Sequence, residues 1–276
     1  DVIKEFKPDI IHFQEIPQFD LPSNILDQIF TKDREYFIIA TTHGSFTNPS
    51  EIVYHPDKYV LVSEWSRQRF EPLGIETAIW EYPIEDYIFD KQAAQKELGL
   101  DPTYKHVLNV GLFSPGKNQA EIFEYAKKLS GYKIKFHFIG NQADNFKYYW
   151  DPLMNDKPDN CVVWGERSDV HKFYEAADLF LFTSRGFSTD KETSPLVIRE
   201  SIGYGVPSLI YNLNVYQNMY DKYDNIKYLS SEGENEKRIL DSLGIEQIEE
   251  KEEPKKEIDQ VDQSKKIVII DVYAVT

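Results

Sequence analysis

Short apolar runs alternate with segments of helical period along most of the chain, which is the pattern of a mostly parallel sheet covered by helices on both faces. In the first part the predicted strands are "DIIHF", "YFIIATT" and "KYVLVS". Further on, strands and helices follow one another as helix "DKQAAQKELGL", strand "HVLNVGLF", helix "NQAEIFEYAKKL", strands "KIKFHFIG" and "CVVWG", helix "SDVHKFYEAA", strand "DLFLFTS", helix "PLVIRESIGYG" and strand "PSLIYN". The pattern predicts an α/β fold of doubly wound, Rossmann-like type.

The helical segments carry local signals that support this assignment. Four apolar residues of the predicted helix 118–129 share one face, as expected for a helix that lies on a sheet: Ile122, Tyr125, Ala126 and Leu129. Ser168 is predicted to be the N-cap of the helix that follows it. Pro195 is suited to the first position of the helix in "PLVIRESIGYG".

Changes in this rhythm divide the chain into four predicted parts. Residues 1–86 are interpreted as a partial N-terminal domain, and residues 87–245 as a second doubly wound domain, with "EYPIED" as the hinge between them. Residues 246–264 form an acidic linker, and residues 265–276 are predicted to be the first strand of a further domain. Because the sequence starts in what resembles the end of a helix, we expect the start of the first domain to precede Asp1.

Composition narrows the range of functions. The 276 residues are 41% hydrophobic and carry a formal net charge of -16, which argues against a nucleic-acid partner and against a basic patch on an anionic membrane. The single cysteine, Cys161, lies in the apolar run "NCVVWG", where packing as a small hydrophobe is expected. No signal peptide and no apolar run of membrane-spanning length are present in the sequence. We therefore expect a cytoplasmic protein without a transmembrane segment.

Three turns of the second domain hold unusual residues at the carboxyl ends of predicted strands: "VGLFSPGKNQ", "VVWGERSD" and "TSRGFSTDKETSP". Ligands bind at this edge of an open parallel sheet, because helix N-termini with free N–H groups converge there. Lys117 precedes a helix and is placed to meet a phosphate. The backbone amides of Ser194 and Leu196, on either side of Pro195, would meet the same anion.

Two acids flank this predicted anion site. Glu200 lies about five residues into the helix, roughly 7 Å along its axis, which is about the separation between a pyrophosphate and the ribose of one nucleotide. A carboxylate accepts hydrogen bonds only, so it suits a vicinal diol. Glu192, on the other side of the phosphate, would face hydroxyls of whatever group the diphosphate carries.

The stretch "ETSPLVIRESIGYGVP" resembles the hallmark of the retaining GT-B glycosyltransferases of the group 1 (family 4) type. That hallmark is a glutamate, seven residues and a second glutamate, running into a helix that ends in a Gly-x-Pro turn. The resemblance covers roughly residues 8–212, because seven further segments stand in the family's order: "PDIIHFQ", "ATTHGS", "VSEWSRQRF", "YPIEDYIF", "LNVGLFSPGKNQ", "FHFIGNQ" and "YEAADLFLFTS".

The resemblance implies two Rossmann-like domains facing a cleft, the nucleotide-sugar donor in the second domain and the acceptor on the first. It implies transfer of a sugar to a glycan, lipid-linked or protein-linked hydroxyl with retention of anomeric configuration, without a protein nucleophile or a metal cofactor, as in the synthesis of a polysaccharide. In this reading Lys117 holds the diphosphate, Glu200 the ribose, and Glu192 the transferred sugar, near which His43 lies. The catalytic candidates are His43 and Glu192, and the donor-binding candidates are Gly111, Lys117, Glu192, Thr193, Ser194, Pro195, Leu196 and Glu200.

The sequence also departs from the family. Leu112 stands where the family usually has an arginine, which predicts either weaker diphosphate binding or a substitute cation such as Arg167 or Arg185. Thr193 stands where the family often has glycine. The departures keep open an alternative from another class, a catalytically degenerate GT-B module for binding or docking within a multidomain protein. A third alternative, an epimerase or dinucleotide enzyme, is disfavoured because no G-x-G-x-x-G follows a predicted strand.

Overall fold

Two parallel sheets lie on either side of the predicted hinge. The computed structural model describes residues 2–44, 47–185, 192–216 and 219–247, and the compact unit that holds all but the last two of these residues ends at Ile245. The first sheet has the strand order β1-β2-β3-β4, with bounds Ile10–Phe13, Phe37–Thr42, Lys58–Leu61 and Glu76–Ile79. Its neighbouring strands pair in parallel, with Ile10 opposite Phe37 and Lys58 opposite Glu76.

The second sheet has six strands in the order β10-β9-β8-β5-β6-β7. Their bounds are β5 Lys105–Val110, β6 Ile134–Ile139, β7 Cys161–Gly165, β8 Leu179–Phe182, β9 Ser208–Tyr211 and β10 Ile226–Leu229. The order reverses at β5, which pairs in parallel with both β6 and β8. The carboxyl ends of β5 and β8 therefore meet at one edge, which is the switch point where ligands bind in such sheets.

Nine α-helices connect and cover the strands within the described residues: α1 Val2–Phe6, α2 Ser23–Ile29, α3 Glu64–Phe70, α4 Lys91–Glu97, α5 Gln119–Lys128, α6 Lys147–Asn155, α7 Val170–Ala176, α8 Leu196–Gly203 and α9 Asn235–Leu243. The predicted α/β architecture with two Rossmann-like sheets is confirmed. None of the described helices is long and apolar enough to cross a membrane. The predicted acidic linker lies almost wholly, and the predicted strand 265–276 entirely, outside the described residues.

Two helix starts differ from the sequence prediction by one residue. Ser168 is not an N-cap, because that position belongs to Asp169 and α7 begins at Val170. Pro195 is the N-cap of α8 and not its first residue, and its backbone is extended with φ −62° and ψ 123°. Neither N-cap side chain accepts a hydrogen bond from the helix, so neither helix start has a side-chain cap.

One buried cluster of the second sheet lies under α5 and confirms two predictions. The predicted apolar face is buried in one cluster that comprises Ile122, Tyr125, Ala126 and Leu129. Cys161 is 2% exposed in the same cluster and is a free thiol. Burial raises the pKa of this thiol to about 12, so it packs as a neutral hydrophobe.

Two buried histidines, His106 on β5 and His137 on β6, are neighbours in the second sheet. Trp164 donates its indole N–H to Nδ1 of His137 at 3.1 Å, and Nε2 of His137 lies 2.9 Å from Nδ1 of His106. Nε2 of His106 lies 3.0 Å from the carbonyl oxygen of Asp101, which can only accept. Because the indole can only donate, each imidazole donates from Nε2 and accepts at Nδ1, and both rings are neutral.

This pair predicts acid-sensitive stability. Burial lowers the pKa of His137 from 6.5 to about 3 and also lowers that of His106, so below pH 6.5 the unfolded chain binds protons that the folded chain does not. The free energy of unfolding is expected to fall by about 2 kcal/mol for His137 alone between pH 7 and pH 5. Urea unfolding at both pH values measures this.

The matched comparison is His137→Gln against His171→Gln, since His171 is exposed. His137→Gln should lower the difference in unfolding free energy between the two pH values, whereas His171→Gln should leave it unchanged. An undiminished difference in His137→Gln would show that this histidine does not carry the pH dependence.

Candidate active site

The loop after β8 is fastened to the loop after β5 at the carboxyl edge of the second sheet. The Ser184 hydroxyl donates to the carbonyl oxygen of Gly116 at 2.9 Å, and the Thr183 hydroxyl donates to that of Asn118 at 2.8 Å. Both hydroxyls are buried. The loop that carries Lys117 is therefore held against the strand end from which the chain continues towards α8.

Lys117 and Glu192 are in direct contact at this edge. The Lys117 ammonium group donates to Oε1 of Glu192, and Oγ of Ser184 lies 3.2 Å from the same oxygen. The side chains are 31% and 14% exposed, so water screens the pair less than it would on an open surface. A cation and an acceptor group thus lie side by side in a partly desolvated place.

Gly111 shapes the loop that leads to Lys117. Its φ of +154° is one that L side chains rarely adopt, and a Cβ there would lie 3.9 Å from the stem of Lys117. Gly140 follows the neighbouring strand β6 with φ +141°, and a Cβ at that position would lie 2.0 Å from the carbonyl oxygen of Gly111. The two strand ends approach each other so closely that only glycine fits.

His43 and Thr193 join the two sheets. The Thr193 hydroxyl donates to the carbonyl oxygen of His43 at 2.7 Å, and His43 follows β2 of the first sheet. Glu15 holds this strand end, because its carboxylate accepts from the His43 backbone N–H at 3.2 Å and from the Thr42 hydroxyl at 3.1 Å. The predicted catalytic histidine therefore lies next to the segment that carries Glu192.

The remaining donor-binding candidates lie at the start of α8. Ser194 and Pro195 are buried, whereas Leu196 is 54% exposed. The first N–H groups of a helix lack partners within the helix, and they carry the positive end of its dipole. This helix start adjoins the Lys117–Glu192 pair through residues 193–195.

Glu200 lies apart from that pair in its contacts. It is half-buried on α8. Among the described residues, it makes no hydrogen bond or ion pair with Lys117 or Glu192. The pKa of Tyr174 is raised well above 10, first by burial and then by the charge of Glu200 and a hydrogen bond to it. The structure thus places the second acid of the motif beside a buried tyrosine, one turn into the helix.

Sequence reasoning missed Arg199, which is 4% exposed. Its guanidinium donates to the carbonyl oxygen of Tyr82 at 2.6 Å and to the hydroxyl of Ser194 at 3.2 Å, and it pairs with Glu81 at 3.3 Å. Glu81 and Tyr82 begin the predicted hinge. The available signal was a second charged residue in an apolar helix, since an arginine there needs several partners.

The two arginines proposed as substitutes at Leu112 have other partners. Arg167 makes two hydrogen bonds of 2.8 Å to Asp169. Arg185 donates to Glu121 at 2.8 Å and to the Tyr211 hydroxyl at 2.6 Å. Leu112 itself is 41% exposed. In this arrangement Lys117 is the cation that contacts Glu192, among the described residues.

Comparisons with known proteins agree with this fold. The sequence model of the family described as "Glycosyl transferases group 1" matches residues 90–266. No curated protein sequence matches the chain significantly.

Solved structures resemble the fold at low sequence identity. Alr3699/HepE from Anabaena in complex with UDP and glucose is 15% identical with a TM-score of 0.66, over 88% of this chain and 69% of that one. Sucrose-phosphate synthase from Thermosynechococcus elongatus is 12% identical with a TM-score of 0.68, over 88% and 67%. The pneumococcal O-GlcNAc transferase GtfA in complex with UDP and GlcNAc is 15% identical with a TM-score of 0.57, over 87% and 50%.

Proposed function

This chain belongs to the glycosyl transferases group 1 family, and from that premise we propose that it transfers a sugar from a nucleoside-diphosphate sugar to a hydroxyl acceptor with retention of anomeric configuration. The observation that carries the proposal is the direct contact between Lys117 and Glu192. A sugar bonded to a diphosphate places an anion and a set of hydroxyls on adjacent atoms. A cation adjacent to an acceptor group matches that arrangement.

Different residues bind different parts of the donor. Lys117 and the first N–H groups of α8 hold the diphosphate, and their positive charge stabilises it as the bond to the sugar breaks. Glu192 accepts from the sugar hydroxyls, and His43 lies against the same group from the first domain. Glu200 holds the ribose.

The acceptor approaches from the first domain. An acceptor oxygen forms a bond to the anomeric carbon, on the face that the diphosphate leaves, and its proton passes to the departing phosphate oxygen. Because that route needs no protein nucleophile, we propose that none is used, and that no metal cofactor is required. The acceptor class we favour is a growing glycan of a polysaccharide or glycoprotein. Lipid-linked and protein-linked hydroxyls are the other acceptor classes that the proposal includes.

Calorimetric titration with UDP, GDP and ADP, each in the presence of a chelator, tests donor binding. UDP is the first choice because structural neighbours are described in complex with UDP. We expect one of the three to bind, and the proton NMR spectrum of the product made from the matching sugar nucleotide to show the anomeric configuration of the donor. Failure of all three nucleotides to bind at millimolar concentration would contradict the proposal.

A second candidate function is a binding module without catalysis, favoured by the exposed Leu112 in the loop before Lys117. It predicts nucleotide binding without transfer. Hydrolysis of the sugar nucleotide and transfer to a panel of glycans distinguish the two, because a module would do neither.

A further inference from the structure

A tyrosine of the hinge contacts the catalytic candidate His43. The hydroxyl of Tyr82 and Nδ1 of His43 are hydrogen-bonded, and the two ring planes are within 7° of parallel with their centres 5.7 Å apart. His43 follows β2, whereas Tyr82 follows β4, so the contact is made by two segments that leave different strands of the first sheet.

Residues of α8 and of the segment before it hold both residues by hydrogen bonds to their backbone carbonyl oxygens. Arg199 donates to the carbonyl oxygen of Tyr82 at 2.6 Å and to the hydroxyl of Ser194 at 3.2 Å. Thr193, next to Ser194, donates to the carbonyl oxygen of His43 at 2.7 Å. These contacts form a closed circuit, which we call the His43 circuit, of His43, Tyr82, Arg199, Ser194 and Thr193. The backbones of His43 and Tyr82 are therefore held by these contacts, and the Tyr82 hydroxyl holds the ring at Nδ1.

The contact with Tyr82 also concerns the position of the imidazole proton. Burial and the nearby charge of Glu15 raise the pKa of Tyr82, so it remains a phenol with one O–H to donate. Among the described residues this O–H has no other acceptor than Nδ1 of His43. Donation to Nδ1 leaves the proton of the neutral ring on Nε2. No described residue is hydrogen-bonded to Nε2.

We propose that Tyr82 is a positioning residue for His43: it holds the ring in the Nε2–H form, so that His43 offers an N–H donor to an oxygen of the bound donor sugar or its phosphate. The role towards the sugar nucleotide rests on the proposed function. In this arrangement His43 donates a hydrogen bond and does not act as a general base. A ring that could turn or exchange tautomers would offer an acceptor in part of the molecules, which would repel an electron-rich oxygen.

Long-range ¹H–¹⁵N spectra of protein labelled with ¹⁵N-histidine test the tautomer directly at a pH where the ring is neutral. We expect Nδ1 of His43 to resonate as an unprotonated, pyridine-like nitrogen and Nε2 as a protonated, pyrrole-like one. In Tyr82→Phe, which removes only the hydroxyl, the two shifts should move towards each other as the tautomers mix. A protonated Nδ1 in the wild type, or unchanged shifts in Tyr82→Phe, would overturn the proposal.

Kinetics provide a second measurement. Tyr82→Phe should lower kcat about tenfold with little change in KM for the sugar nucleotide, as expected when one oriented hydrogen bond is lost. The control is Tyr36→Phe, whose hydroxyl donates to the carbonyl oxygen of Ile29 at 2.7 Å; Tyr36 precedes β2 and thus lies at the opposite end of that strand from His43. An equal loss in both variants would count against a specific role of Tyr82.

The two measurements separate the failure of this inference from failure of the proposed function. If no nucleotide binds but the spectra show the Nε2–H form and its loss in Tyr82→Phe, the control of the tautomer by Tyr82 stands and the transferase proposal falls. If transfer occurs but kcat of Tyr82→Phe equals that of the wild type, the positioning role falls and the transferase proposal stands.

Discussion

Replacement of Lys117 by alanine is expected to lower kcat/KM for the sugar nucleotide by about a hundredfold, because the cation that meets the diphosphate is lost at a partly desolvated site. The loss should appear in both KM and kcat, since the phosphate is bound in the ground state and gains charge as the bond breaks. The variant also leaves Glu192 without its ammonium partner. Steady-state kinetics and titration with the nucleoside diphosphate measure the two parts.

Lys127→Ala is the matched control. Lys127 lies near the other end of α5 and pairs with Glu124 at 2.8 Å and with Asp156 at 2.6 Å, so its removal also breaks lysine–carboxylate pairs. Pairs on an exposed helix surface contribute little, and we expect kcat/KM to stay within about twofold. A similar loss in both variants would mean that overall charge, and not contact with the diphosphate, explains the effect of Lys117→Ala.

The sequence was sufficient for the parts of the fold that are buried on both sides. The strands β5 and β6 are detected as apolar runs because helices cover both faces of the sheet. The edge strands β4 and β10 were missed, since exposed charged residues interrupt their apolar runs, as at Glu76 and Lys227. Helix α6 was missed because Pro152 lies inside it, and proline normally ends a helix.

The candidate site was likewise predictable only in part. Lys117 and Glu192 were predicted to share a site because both follow strands at one edge of a parallel sheet, a consequence of topology alone. The contacts of Arg199 and Tyr82 depend on how the hinge passes over α8, and that is decided by packing between segments 117 residues apart in sequence. Neither local pattern nor composition carries such information.

Gly111 and Gly140, which follow the carboxyl ends of β5 and β6, lie against each other through tertiary contact. This close approach predicts the largest effect on stability. Gly140→Ala is expected to lower the free energy of unfolding by roughly 4 kcal/mol, because the residue adopts a backbone conformation unsuited to L side chains and its new Cβ would meet a backbone atom. That atom is the carbonyl oxygen of Gly111, at 2.0 Å. A backbone atom cannot swing aside as the end of a side chain can.

The displacement must reach the site, since Gly111 begins the loop that ends at Lys117. Gly140→Ala should therefore weaken nucleotide binding under conditions where the variant is still folded. The control is Gly131→Ala, whose Cβ would meet no heavy atom of the described residues within 4 Å; its unfolding free energy should stay within about 1 kcal/mol of the wild type. Urea unfolding of the two variants decides the matter: a loss in Gly140→Ala as small as that in Gly131→Ala would mean that β5 and β6 end farther apart than the structure places them.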